Sequence, residues 1–180
     1  EQRHVEVLAA ELGSDVAFFL YGGWRQCLGR GEIVRPLPGS EQWPPVPVLL
    51  VMPPLHVPTP AVYKALRAPR YDGSNARGNT QVARDIAAAL QRLHGVPGNP
   101  ELHLCNDLTQ AAREVEPRLA AVQEVLHQQY PGRWLMSGSG AVHVVVPPPG
   151  DDGSRLSAAL AAKAGPGIRV LATTTVQPPP

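Results

Sequence analysis

Val5, Leu8, Ala9 and Leu12 recur at the i, i+3, i+4, i+7 spacing of one helix face, and Gly13 follows the last of them. The spacing predicts the closing turns of an amphipathic helix. Val16 to Tyr21 is an unbroken apolar run stopped by Gly22-Gly23, and it reads as a short strand, as do Trp24 to Leu28 and Ile33 to Leu37. Residues 38–45, PGSEQWPP, are polar and proline-rich, which marks a joint between two domains, 1–45 and 46–180.

Beyond the joint, Val46 to Met52 reads as a buried strand, and Thr59 before Pro60 supplies a cap and the favoured first-turn proline for a helix from Pro60 to Leu66. Asp72 to Gly78 reads as loop, and Val82, Ile86, Ala89, Leu90 and Leu93 mark one face of a helix that Gly95 ends. Two more helices are expected, from Asp107 to about Glu116 and from Pro117 to Gln129, the second with Leu119, Val122, Val125 and Leu126 inward. Trp134 to Met136 and Ala141 to Val146 read as strands flanking Ser137-Gly138-Ser139-Gly140. The Ala-rich stretch Ser154 to Ala164 reads as a helix, and Ile168 to Val176 as the last strand. With the extra helices taken as an enlarged first crossover, the order from Val46 is strand, helix, strand, strand, helix, strand. That is the split βαβ, ferredoxin-like order, an α+β domain with an antiparallel sheet and helices on one face. The arrangement hosts many activities and by itself names none.

Composition narrows the classes. A chain of 180 residues is long enough to bury roughly 70% of its unfolded surface. Sixteen basic and fifteen acidic residues leave a net charge of +1, with no basic face of the kind that binds a phosphate backbone, so nucleic acid is not an expected partner. The longest apolar run, Val46 to Met52, is interrupted by Pro47 and falls far short of the roughly 20 residues of a membrane span. A soluble, cytoplasmic protein, monomeric or weakly dimeric, is the expectation. Cys27 and Cys105 form neither a close pair nor part of a ligand cluster and read as reduced, buried thiols. The six histidines include no i, i+4 pair, so no metal site is assigned. The first residue is Glu1, not Met, and nothing near it resembles a signal peptide, which suggests a fragment.

Three segments carry candidate chemistry. In Leu12-Gly13-Ser14-Asp15-Val16 a carboxylate lies between a helix-ending glycine and an apolar run, where desolvation raises basicity; a plain turn or capping role fits the same residues. Ser137-Gly138-Ser139-Gly140 lets the backbone pass close to another loop or a phosphate, and is equally what a hairpin turn uses. In His56-Val57-Pro58-Thr59-Pro60-Ala61-Val62-Tyr63, two prolines fix a turn and Tyr63 lies one turn inside the helix, able to stack on a base or to pack against its neighbours. Gly29-Arg30-Gly31 lies between strands, whereas a dinucleotide fingerprint opens a helix.

In order and spacing, LGSDVAFFLYGG, GRGEIVRPL, VPTPAVYKAL, NDLTQAAREVEP and MSGSGAVHVVV resemble the 4-diphosphocytidyl-2-C-methylerythritol kinase family of the galactokinase, homoserine, mevalonate and phosphomevalonate kinase superfamily. The resemblance spans nearly the whole chain, apart from Arg70 to Leu104 and the proline tail. It implies ATP-dependent phosphorylation, with Mg²⁺ on the nucleotide, of the 2-hydroxyl of 4-diphosphocytidyl-2-C-methylerythritol in the non-mevalonate route to isoprenoids. It further implies that Asp15 is catalytic, that Thr59 and Tyr63 border the cytidine end of the substrate, and that Ser137, Gly138, Ser139 and Gly140 form the glycine motif lying against the ATP loop. The chain has Ala17 where the family usually has proline. The family's PxxxGLGGGSSNA loop and its N-terminal catalytic lysine occur nowhere in these 180 residues, so residues 1–45 would be the tail of the N-terminal domain and the fragment alone inactive. The rival readings are another kinase of the superfamily, of homoserine or mevalonate type, and a non-catalytic ferredoxin-like ligand-binding module.

Overall fold

The computed structural model describes residues 2–37, 40, 45–67 and 104–176. The loop expected at Asp72 to Gly78 and the helix expected over Val82 to Leu93 lie outside the described residues. Among those described, residues 2–37, 40, 45, 175 and 176 belong to one compact unit, and 46–67 with 104–174 to a second.

The first unit opens with α1 (Gln2–Leu12), whose end at Gly13 is closed by a bond from Gly13 N–H to the Ala9 carbonyl, 3.2 Å. The expected strand at Val16 to Tyr21 is instead a short helix, α2 (Val16–Phe19). An apolar run without alternation carries no strand period. Here its carbonyls are taken locally, Ala17 by Leu20 N–H and Phe18 by both Tyr21 and Gly22 N–H. The two helices pack on each other, each with one buried alanine, Ala9 and Ala17, and the Tyr21 hydroxyl donates to the Glu6 carboxylate of α1. Ala17 stands in the first turn of α2, where a proline is tolerated because its missing N–H would be unpaired anyway. The family's proline at this place therefore suits a helix better than a strand. β1 (Arg25–Leu28) and β2 (Ile33–Pro36) pair antiparallel, from Arg25 opposite Pro36 to Leu28 opposite Ile33.

The second unit is built on a four-stranded antiparallel sheet of β3 (Pro47–Met52), β4 (Trp134–Met136), β5 (His143–Val145) and β6 (Arg169–Thr174), in the order β4-β5-β3-β6. Central β3 places Leu49 opposite both Val145 and Ala172, and Val51 opposite His143 and Val170. Leu49, Val51 and Val145 project from one face into a core with Val122, Val125 and Leu126 of α5 (Leu119–Gln129) and Leu156 and Leu160 of α6 (Ser154–Lys163). Each fully buried leucine contributes about 1.5–3 kcal/mol. The inward face expected of α5 is found, since Leu119, Val122, Val125 and Leu126 are all buried. A second core joins Val57, Val62 of α3 (Thr59–Ala65), Ala111 and Ala112 of α4 (Leu108–Val115), Leu119, Met136 and Ala141. Two of these residues, Met136 and Ala141, bracket the glycine-rich loop between β4 and β5.

His143 of β5 is wholly buried, within 3.1 Å of the Gln123 amide nitrogen and beside the Trp134 ring. Burial pushes its imidazole from 6.5 down to about 4, opposed in part by the Ala141 backbone. The folded chain thus refuses a proton that the unfolded chain accepts. Above pH 6.5 both states are neutral at this residue; from 6.5 to 4 stability falls with pH by up to about 3 kcal/mol, and below 4 the loss levels off. Urea midpoints between pH 7 and 4.5 should fall less steeply for His143→Gln than for the parent. Parallel profiles for the two proteins would refute the assignment.

Candidate active site

Asp15 stands immediately before α2 with helical backbone angles, φ −93° and ψ −11°, and makes no capping hydrogen bond through its side chain. Its residue is exposed, so the apolar shelter expected from the neighbouring run is not present among the described residues. The carboxylate is near enough to β1 to act on Cys27. That thiol is held above its ordinary value, first by partial desolvation of the sulfur and then by the Asp15 charge, although the residue as a whole is exposed. Cys105 is also a free, exposed thiol, so the burial expected of both cysteines is corrected.

The turn that carries Asp15 is backed by the loop between β1 and β2. Gly31 (φ +122°) lies so close to the Ser14 carbonyl that a Cβ there would collide with backbone. Next to Gly31, the Glu32 carboxylate folds back over the turn and accepts the Arg30 N–H at 2.7 Å. Gly29-Arg30-Gly31 is thus a hairpin turn whose second glycine permits close approach to the Asp15 segment.

In the second unit the structure brings together Thr59 and the glycine-rich loop. Thr59 does not cap α3: it is the first helical residue, Pro58 holds the cap position, and no side chain bonds there. The Thr59 hydroxyl is engaged instead with that of Ser139, 2.7 Å away. Tyr63 projects from α3 with 60% of its surface exposed, whereas its neighbour Val62 is wholly buried. Ser137 N–H bonds to the Val142 carbonyl (2.8 Å) and Gly140 N–H to that of Ser137 (3.0 Å). Gly138 and Gly140 have φ of +54° and +97°, and Gly140 also presses on Met136 Sδ, 3.0 Å from where a Cβ would stand. The N–H groups of Gly138 and Ser139 have no acceptor among the described residues. Asp15 belongs to the first unit, and Thr59, Tyr63 and Ser137 to Gly140 to the second.

One residue of this neighbourhood escaped the sequence reading. Asn106 precedes α4 and its Nδ2 donates to the Met136 carbonyl (2.6 Å) and the Gly138 carbonyl (2.7 Å), while its Oδ1 accepts the Leu108 N–H (2.8 Å). An Asn just ahead of a helix signals the local bond to Leu108. Nothing in the sequence signals the two bonds across 30 and 32 residues.

No protein-family model matches the chain. Over 148 residues it is 38% identical to 4-diphosphocytidyl-2-C-methyl-D-erythritol kinase of Heliobacterium modesticaldum, a match that covers 77% of this chain and 45% of that protein. The enzyme of the same name from a Synechococcus strain is 40% identical over 145 residues, covering 76% of this chain and 44% of the relative. A crystal structure of 4-(cytidine 5'-diphospho)-2C-methyl-D-erythritol kinase superposes with a TM-score of 0.61 at 31% identity, over 94% of this chain and 56% of the solved one. The chain is a homologue of the 4-diphosphocytidyl-2-C-methyl-D-erythritol kinases. It spans less than half the length of the two curated kinases. Among the described residues, no helix is long and apolar enough to cross a membrane. The mixed helix and sheet architecture is that of the solved kinase.

The close approach of Gly31 to Ser14 makes a specific demand on this homologue. Gly31→Ala should cost roughly 1–3 kcal/mol, because it adds both a Cβ against backbone and a strained positive φ. A lowered melting temperature would show it; an unchanged one would mean that the loop does not buttress the Asp15 turn.

Proposed function

We propose that this protein acts in the ATP-dependent phosphorylation of the 2-hydroxyl of 4-diphosphocytidyl-2-C-methyl-D-erythritol, in the non-mevalonate route to isoprenoids. The observation that carries the reading is the similarity to the solved kinase over 94% of the chain, joined by 38% and 40% identity to curated kinases of that name. The order β4-β5-β3-β6 is read as the ferredoxin-like arrangement, with residues 46–180 as the C-terminal domain of the superfamily and residues 1–45 as part of its N-terminal domain.

In the proposed reaction the substrate oxygen forms a bond to the γ-phosphorus of ATP, the bond to the β-γ bridging oxygen breaks, and ADP leaves. The hydroxyl proton passes to Asp15 or is oriented by it; its carboxylate is exposed and unspent on capping, which fits that role. Phosphoryl transfer asks the protein mainly for positioning and charge stabilisation, and magnesium carried by the nucleotide would neutralise part of the phosphate charge. The N–H groups of Gly138 and Ser139, without acceptors among the described residues, suit a phosphate oxygen. Thr59 and Tyr63 are assigned to the cytidine end, the exposed ring of Tyr63 offering a stacking face.

Asp15→Asn keeps the shape and removes the charge, so in the full-length protein kcat should fall by roughly two to four orders of magnitude with little change in melting temperature. A wild-type rate in that variant would remove Asp15 from the chemistry. Tyr63→Ala should act elsewhere. A stacking contact of about 1–3 kcal/mol is present in ground and transition states alike, so the loss should appear in KM for the diphosphocytidyl alcohol. A collapsed kcat with KM unchanged would contradict the assignment of Tyr63 to binding.

A further inference from the structure

Loop residues 137–140 are short of internal bonds. Ser137 and Gly140 donate within the turn, and two glycines with positive φ leave the peptide between Gly138 and Ser139 free to rotate unless something outside the loop holds it. Asn106 does so. Its carboxamide spans the Met136 and Gly138 carbonyls at 2.6 and 2.7 Å, and is itself fixed by the Leu108 N–H on Oδ1. The N-terminal end of α4 is thereby tied to the loop, with Ala111 and Ala112 of α4 packed in the same core as Met136 and Ala141. In a trans peptide the N–H points opposite to the C=O. With the Gly138 carbonyl turned to Asn106, the N–H of Ser139 is turned away from it.

We propose that Asn106 is a positioning residue for the phosphoryl transfer: by clasping the Met136 and Gly138 carbonyls it fixes the orientation in which the Ser139 N–H is offered to a phosphate oxygen. The proposal rests on the kinase reading. Only a side chain with two donors on one nitrogen and an acceptor beside it makes all three bonds. Aspartate keeps the acceptor for Leu108 and sets a charged oxygen against two carbonyls. Alanine removes everything. Thr59, on Ser139 Oγ, holds the hydroxyl of the same residue but not the peptide.

Asn106→Asp and Asn106→Ala test this in the full-length protein, by steady-state kinetics and by ¹⁵N relaxation of the loop. In the parent, Gly138 and Ser139 should show order parameters of about 0.85, falling below about 0.6 in both variants while Val144 and Val145 of β5 stay rigid. Misplaced donors should lower kcat by roughly ten- to a hundredfold, with KM for the diphosphocytidyl alcohol changed by less than about threefold, since the stacking assigned to Tyr63 of α3 does not pass through the loop. A loop that stays rigid in the variants overturns the proposal. So does a loop that loosens while kcat stays within about threefold of the parent. If the aspartate variant does not fold, the alanine variant reads the same two quantities, and a rate loss that merely follows its unfolded fraction also overturns the proposal. A parent protein that transfers no phosphate to the alcohol counts against the kinase reading itself, whereas an active parent with unaffected variants counts against Asn106 alone.

Discussion

The second unit depends on one constraint: a four-stranded antiparallel sheet must bury one face, and α5 and α6 supply the cover. Leu49, Val51 and Val145 are almost fully buried against Leu126, Leu156 and Leu160. Shifting β3 by a single residue against β5 would turn Leu49 and Val51 to the opposite face, so the apolar pattern pins the register. That register sets where β4 ends and β5 begins, and with them the ends of the loop at residues 137–140. The position of the loop is therefore a consequence of core packing against the sheet. Its internal shape is set locally, by the glycines and by the groups that hold them.

Much of this was legible because the signals were periodic or close in sequence. The spacing of Leu119, Val122, Val125 and Leu126 identified the buried face of α5, and β1, β2 and β3 lie within the stretches read as strands. Val16 to Tyr21 was misread for a definite reason: an apolar run of that length without alternation is compatible with either element, and packing on α1 decides for helix. β5 is shorter than its apolar stretch because Ala141 closes the glycine-rich turn and packs in the core with Val57 and Met136. The cysteines were assigned to the interior from the habits of the residue type, which say nothing of a particular hairpin.

The site was legible in its residue types and not in its connections. Asp15, Thr59, Tyr63 and Ser137 to Gly140 are all visible in the sequence as residues at turns or on a helix. What engages them comes from far along the chain: Ser139 for Thr59, Asn106 for Gly138, and Gly31 for the turn before Asp15. A local cap was the natural reading of a threonine before a proline, and it failed because the helix begins one residue earlier, with Pro58 at the cap position and Thr59 already inside. Side chains that hold a loop at long range leave no periodic trace.

The two cysteines acquire a use from where they fall. Cys27 lies on β1 of the first unit and Cys105 precedes α4 of the second, and both are exposed free thiols. A donor dye on one and an acceptor on the other would make a molecular ruler for the separation of the two units, with no engineered attachment point. Because partial desolvation and then the Asp15 charge hold the Cys27 thiol above its ordinary value, and only the thiolate reacts, Cys27 should take up an alkylating dye more slowly than a fully solvated thiol.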